Sequence, residues 1–407
     1  MSPGARTQQA DALERARRIH AEELVADSLA PTFTCEMMLT PAMVELAKRL
    51  QAEGKTRSAI RLALAEHLIE AVGRDRDTRA AYLAYWQRAG VTAASSTVYD
   101  SGPPGRAWDE TLTELARGNR LLQGLGDAFC LAATAGDVER AHRERRHAVI
   151  YNLQNAEPVG DDLGRVDVLY NLGVRIIQLS YNLRNRFGDG CVERRDGGLS
   201  RFGVALVEKL NERRVLIDLS HCSDQTALDA IALSRQPVAF THTSARALSR
   251  HARGKTDEAL RAIAARGGYV GVLILPSFLL PGDRDPHAAP GELPAGWATL
   301  DTVVDHVEHI RNLVGSDAVG IGTDWGKPYY NVLTWSPGMV REQASAFDWV
   351  GWRPEDRMDP NRQTKDLETW DRWPNLTAAM LRRGIPEDVV VKIVGRNFLR
   401  LFREVCG

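Results

Sequence analysis

Short apolar runs rich in β-branched residues alternate with amphipathic stretches of helical period along almost the whole chain, and that alternation leaves few folds open. Strands that are apolar on both faces and separated by helices are parallel strands joined by crossovers. Strands are expected near 23–27, 90–99, 129–134, 147–154, 174–181, 215–221, 237–242, 269–275 and 318–324. An eight-stranded (β/α) barrel of TIM type needs one fewer, and 129–134 is the segment expected to lie outside it.

Between these runs, helical periodicity predicts helices over Ala107–Gly124, Gly164–Leu172, Arg201–Arg213, Asp224–Ser234, Thr256–Arg266 and Leu300–Val314, with Asp224 and Thr256 as N-caps. Residues 40–89 read as two or three helices inserted after the first strand, and Pro386–Phe402 as a closing helix with proline in its first turn. The charged stretch 1–22 reads as an exposed N-terminal helix, which leaves 23–407 as one barrel domain. Six of the nine tryptophans, with Tyr329, Tyr330 and Phe347, fall in 325–373, a stretch of weak periodicity expected to form a lid or binding loop.

With 407 residues, 44% of them hydrophobic, the chain can fill one large barrel. Lysine and arginine (52) balance aspartate and glutamate (53), so no basic field exists to attract nucleic acid, and a small molecule is the expected partner. Cys35, Cys130, Cys191, Cys222 and Cys406 are widely spaced and form no CxxC pair, which suits a reducing, cytoplasmic setting. No apolar run reaches the roughly 18 residues that a spanning helix needs, so no membrane association is expected.

Active sites of (β/α) barrels lie at the carboxyl ends of the strands. Three expected strands finish on metal-binding side chains there: Val215–His221 on His221, Pro237–His242 on His242, and Ala318–Asp324 on Asp324. Imidazoles and a carboxylate with an open position suit a divalent ion that activates water against a carbonyl. The other histidines, His20, His67, His142, His147, His251, His306 and His309 in helical or charged stretches and His287 in a proline-rich loop, are expected mostly to be solvated.

The segments Gly160-Asp161-Asp162-Leu163, Gly173-Val174-Arg175, Gly198-Leu199-Ser200-Arg201-Phe202-Gly203, Asp218-Leu219-Ser220-His221, His242-Thr243-Ser244-Ala245-Arg246-Ala247-Leu248 and Gly320-Ile321-Gly322-Thr323-Asp324 occur in one order. In them the chain resembles the renal (membrane) dipeptidases, binuclear zinc hydrolases on an amidohydrolase-like barrel, from about Asp27 to Phe402. The resemblance implies that His221 and His242 hold one zinc and that Asp324 lies beside the metal and serves the attacking water. It further implies that Arg253, eleven residues beyond His242, grips a substrate carboxylate, and it carries the possibility of a homodimer.

Three departures from the family pattern remove chemistry. The opening motif, which should supply a histidine and an aspartate, reads Asp27-Ser28-Leu29-Ala30-Pro31, and neither Leu29 nor Pro31 can ligate metal through its side chain. The bridging glutamate falls on Gln154, a weaker neutral ligand. The substrate-facing histidine falls on Tyr181, which can steady an oxyanion but shuttles protons poorly near neutral pH. Glu36 and Glu157 are conceivable stand-in carboxylates, expected instead to be ordinary loop residues.

The expectation is therefore one divalent ion, zinc with manganese or iron as alternatives, on His221, His242, Asp324 and Gln154. The leading function is hydrolysis of an amide in a small carboxylate-bearing molecule such as a dipeptide or N-acyl amino acid. A non-peptidase reaction of a specialised pathway on the same barrel, by a tautomerase, lyase or other hydrolase, and a catalytically inactive binding protein are the alternatives.

Overall fold

Eight parallel strands follow one another around a barrel in the computed structural model, which describes residues 3–55, 57–101, 104–281, 297–325 and 363–407. The strands are β1 (Ala26–Ala30), β2 (Ala93–Tyr99), β3 (Phe129–Leu131), β4 (His147–Leu153), β5 (Val174–Gln178), β6 (Leu216–Asp218), β7 (Ala239–Thr243), β8 (Tyr269–Val272) and β9 (Val319–Ile321). Their order is β1-β2-β4-β5-β6-β7-β8-β9, with β3 pairing only with β4 outside that path. The segment expected to be peripheral is the one that is.

β1 and β9 share no ladder, and the seam between them is closed by other means. The Asp324 N–H donates to the Leu29 carbonyl at 2.8 Å. The Asp27 carboxylate accepts from the Thr323 N–H at 2.8 Å and the Thr323 hydroxyl at 2.6 Å. Because Asp27 is fully buried, it also needs donors on its other side, which the indole N–H groups of Trp370 (2.9 Å) and Trp373 (3.2 Å) supply. Burial nonetheless pushes its pKa up to about 6.

Small residues let the strands crowd together at this seam. A Cβ on Gly322 would stand 1.9 Å from the Thr241 carbonyl oxygen and 2.6 Å from Ser28 Oγ, so only glycine fits there. Ser28 spans the gap, near the Thr241 (2.6 Å) and Ile321 (2.9 Å) carbonyls.

Helices cover the outside much as their periodicity predicts. Ala107–Gly124 and Leu300–Val314 match residue for residue, while Arg165–Asn171, Arg201–Glu212, Asp224–Leu233 and Asp257–Ala265 differ only at their ends. Thr256 caps its helix through the Ala259 N–H, but the cap before Asp224 is Ser223, whose hydroxyl accepts from the Thr226 N–H. The insertion forms three helices, Pro41–Ala52, Arg57–Arg74 and Arg76–Ala89. Pro386 stands at the N-cap rather than inside the first turn, and the closing helix runs Glu387–Val391, through a π-helical turn at Lys392–Arg396, into Asn397–Cys406. Gly395 in that turn admits the Leu24 carbonyl, which a Cβ would meet at 1.9 Å.

The N-terminal helix, Pro3–Glu22, is not the exposed element its charges suggest. Ala12, Ala16, Ile19 and His20 are buried, and the helix packs on Pro374–Arg382. Residues 326–362 of the expected lid lie outside the described residues, as does His287. Trp325, Trp370 and Trp373, its described tryptophans, are buried and fasten the chain to the barrel, Trp325 through the Leu367 carbonyl at 3.1 Å.

Candidate functional site

β6 ends at Asp218, three residues before His221, whereas His242 lies within β7. Both histidines are buried, and their Nε2 atoms face each other at 3.0 Å. Burial, reinforced by the positive charge of Arg253, pushes both imidazoles well below the usual histidine range, so both are neutral at pH 7. Two neutral imidazoles converging on one point suit a divalent ion; a tetrahedral zinc would hold such nitrogens about 3.3 Å apart.

The outer nitrogens are already engaged. His221 Nδ1 lies 2.6 Å from Asn182 Oδ1, and His242 Nδ1 lies 2.8 Å from Thr241 Oγ1. Thr241 Oγ1 in turn donates to Asp218 at 2.6 Å. Second partners of this kind orient metal-ligating histidines.

One face of His221 is covered by Tyr181, whose ring stacks on it at 4.0 Å between centroids and 21° between planes. Tyr181 and Asn182 begin the loop that follows β5. That loop returns across the site, where the Cys191 N–H donates to the His221 carbonyl at 2.8 Å. Gly190 permits this return, since a Cβ there would lie 2.1 Å from the Asn182 backbone.

Arg253 is not a surface arginine: it is fully buried, and its terminal nitrogens donate to the carbonyls of Ser220 and His242, each at 2.5 Å. It thus straps together the two strand ends that carry the histidines. Lys255, also fully buried, donates to the Cys222 carbonyl at 2.6 Å, and burial lowers its pKa to about 8. Asp324 and Asp218 are the carboxylates whose charge offsets the burial of Arg253.

Gln154 lies at the end of β4 and is linked to His221 through Gln178, which donates to the Gln154 carbonyl and accepts from the His221 N–H at 3.3 Å. Its side-chain amide donates to Thr97 Oγ1 at 2.9 Å. Asp324 is half-buried and adopts a left-handed backbone, φ 46°, where its N–H meets Leu29. Among the described residues, no group of three or more histidine, cysteine, aspartate or glutamate side chains converges as a ready metal cage. The structure therefore brings together His221, His242, Tyr181 and Arg253 most tightly. Glu36 is buried, accepting from the Thr32 N–H at 3.0 Å, and is not an ordinary solvated loop residue. Glu157 is half-buried near Arg186, and burial raises its pKa.

Three histidines expected to be solvated are buried. His20 sits between the Ala89 carbonyl and Thr377, with its pKa lowered to about 4 by burial. His306 accepts from the Ala245 N–H and reaches the Leu279 carbonyl, and it too falls to about 4. His251 accepts from the Arg253 N–H at 3.0 Å and so helps to seat that arginine. Their helical, charged neighbours hid this, because charge content says little about which face of an element packs.

Asn182, Thr241, Asp218 and Lys255 complete the site without having been picked out from the sequence. The available signal was position: Asn182 follows Tyr181, Thr241 precedes His242, and Asp218 interrupts an apolar run.

A parallel eight-stranded barrel with imidazoles converging at the ends of neighbouring strands is an amidohydrolase-like barrel. The chain belongs to the membrane dipeptidase family, Peptidase family M19, whose model matches residues 72–332. It is 28% identical over 299 residues to Dipeptidase tcpJ of Claviceps purpurea, covering 73% of this chain and 60% of that protein. It is 29% identical over 287 residues to Dipeptidase verJ of Clonostachys rogersoniana, covering 70% and 62%. The chain thus spans about three-fifths of the length of these curated relatives. Among solved structures, an amidohydrolase from Pseudomonas aeruginosa superposes with a TM-score of 0.69 at 27% identity, covering 96% of this chain and 99% of that one.

Proposed function

We propose that this protein is a metal-dependent hydrolase that cleaves an amide bond in a small carboxylate-bearing molecule, a dipeptide or an N-acyl amino acid. A single divalent ion, zinc in the first instance, would be held by His221 and His242, the two ligands that already converge, with Asp324 and the Gln154 amide oxygen drawn in to complete its surroundings. The observation that carries this reading is the 3.0 Å convergence of two neutral, buried imidazoles in a member of the membrane dipeptidase family.

Bound there, an ion supplies Lewis-acid polarisation of the carbonyl and makes an attacking water more acidic. Asp324 accepts the proton of that water and returns it to the departing amine. The Tyr181 hydroxyl donates to the developing oxyanion. Arg253 and Lys255 place positive charge behind the histidines, which favours a substrate carboxylate in the mouth. All five cysteines are free thiols, which supports a reducing, cytoplasmic setting; no helix among the described residues is long and apolar enough to cross a membrane.

Metal content of the purified protein and turnover of Ala-Ala dipeptides and N-acetyl-alanine, with zinc, manganese or iron added, test the proposal. The expected result is one ion per chain and an amide turnover that falls at least about 100-fold in His221→Ala, the scale of losing a metal ligand or its support. Stoichiometric metal without turnover of any amide, or no metal at micromolar concentration, refutes it.

A further inference from the structure

The proton positions around the two histidines follow from their neighbours. Asp218 faces four donors: the Ser220 N–H (3.0 Å), the Ser220 hydroxyl (2.5 Å), the Thr241 N–H (3.0 Å) and the Thr241 hydroxyl (2.6 Å). A carboxylate bond is stronger than a neutral one, so the single Thr241 hydroxyl proton points to Asp218. What Thr241 then offers to His242 Nδ1, 2.8 Å away, is a lone pair. That nitrogen must carry the ring's proton, which leaves Nε2 bare.

His221 reaches the same state by a different route. Its Nδ1 lies 2.6 Å from Asn182 Oδ1, an acceptor, so the proton again sits on the outer nitrogen. Asn182 is completely buried and held at φ 59°, with Gly190 packed against its backbone, so its side chain has little choice of place. Its amide can still turn to present a donor, whereas the Thr241–Asp218 couple cannot reverse. The result is two lone pairs facing at 3.0 Å, an arrangement that repels unless a cation lies between them.

We infer that Asn182 and the Thr241–Asp218 couple are positioning residues that hold both imidazoles as Nδ1–H tautomers and thereby create the cation site. This rests on reading the histidine pair as metal ligands. The couple is the fixed half and Asn182 the adjustable half: in zinc-free protein the Asn182 amide turns, His221 carries its proton on Nε2 and donates it to His242, and zinc reverses that turn.

Long-range proton–nitrogen NMR on full-length protein labelled with 15N-histidine reads each tautomer directly, and competition with a chromophoric chelator reads zinc affinity. In zinc-free wild type, His242 is expected as the Nδ1–H tautomer, and Thr241→Val should convert it to Nε2–H. Thr241→Val and Asn182→Leu should each weaken zinc by about 10- to 100-fold, the usual effect of removing such a partner. Asn182→Asp, which can only accept, should bind zinc at least as tightly as wild type. Should Asn182→Leu fail to fold, the Asn182→Asp affinity and the His242 tautomer still decide the matter. A His242 Nε2–H tautomer in zinc-free wild type, or zinc bound within twofold by both weakening variants, overturns the inference. A wild type that binds no zinc sinks the metal reading instead, while the tautomers continue to judge this one.

Discussion

Asp27→Asn tests the seam of the barrel, and the useful quantity is the change in its effect with pH. Ionised Asp27 serves the Thr323 N–H and hydroxyl and two indole N–H groups, yet burial still raises its pKa from 3.8 to about 6. With the native pKa above the unfolded one, the native state binds more protons between those values. The charge therefore destabilises the fold fully above pH 6, and the penalty fades as pH falls towards 3.8. At pH 7.5 the penalty is about 3 kcal/mol and at pH 5 about 1.6 kcal/mol, at 1.36 kcal/mol per pKa unit. Asparagine escapes this penalty but turns an N–H towards the Trp370 and Trp373 donors, each left without an acceptor at about 1–3 kcal/mol. Those hydrogen-bond losses are independent of pH, so they cancel when the two pH values are subtracted. Urea unfolding followed by circular dichroism should show Asp27→Asn more destabilising at pH 5 than at pH 7.5 by about 1.4 kcal/mol. An equal effect at both pH values, or a larger one at pH 7.5, refutes the account of Asp27 as a buried charge held by its donors.

Two further predictions concern positions where the packing leaves no slack. Lys255→Met removes a buried ammonium whose pKa is about 8 against 10.5 in the unfolded chain. Its penalty is full below pH 8 and relieved as pH rises towards 10.5, so wild type should gain about 1 kcal/mol on Lys255→Met between pH 7.5 and 9 by urea unfolding. Gly322→Ala would place a Cβ 1.9 Å from the Thr241 carbonyl; it should cost about 3 kcal/mol by the same assay, and a loss under about 1 kcal/mol would show that the seam can yield.

What the sequence makes legible is whatever depends on neighbours along the chain. Leu300–Val314 is recoverable residue for residue because its apolar face repeats every turn and Gly315 stops it. His221 and His242 stand out because they follow apolar runs that must be strands, and barrel strands deliver their ends to one mouth. The burial of Arg253 and Lys255 is illegible for the opposite reason: His251-Ala252-Arg253-Gly254-Lys255 has the composition of a surface loop, and only the fold returns it beneath Ser220 and Cys222. Asn182 meets His221 across 39 positions of sequence, and Thr241 meets Asp218 across 23. No periodicity encodes such contacts.

The two sides of the barrel mouth use their polar groups differently, and this bears on how many ions the site can take. On the β1–β9 side, Asp27, Thr323 and the Asp324 N–H are engaged in closing a seam that has no ladder. Leu29 contributes its carbonyl there and has no ligating side chain to offer. On the β6–β7 side, Asp218, Thr241 and Asn182 take up the outer nitrogens of two imidazoles and leave the inner ones facing each other. A second ion would need further anionic ligands, yet the Asp27 carboxylate on the first side is already surrounded by donors, and position 154, at the end of β4, carries a neutral amide. Two like charges a few ångströms apart without a bridging carboxylate repel strongly in a buried site. On the proposed reading of the histidine pair as the metal site, one ion is expected on the β6–β7 side, and a second equivalent of zinc should bind far more weakly than the first.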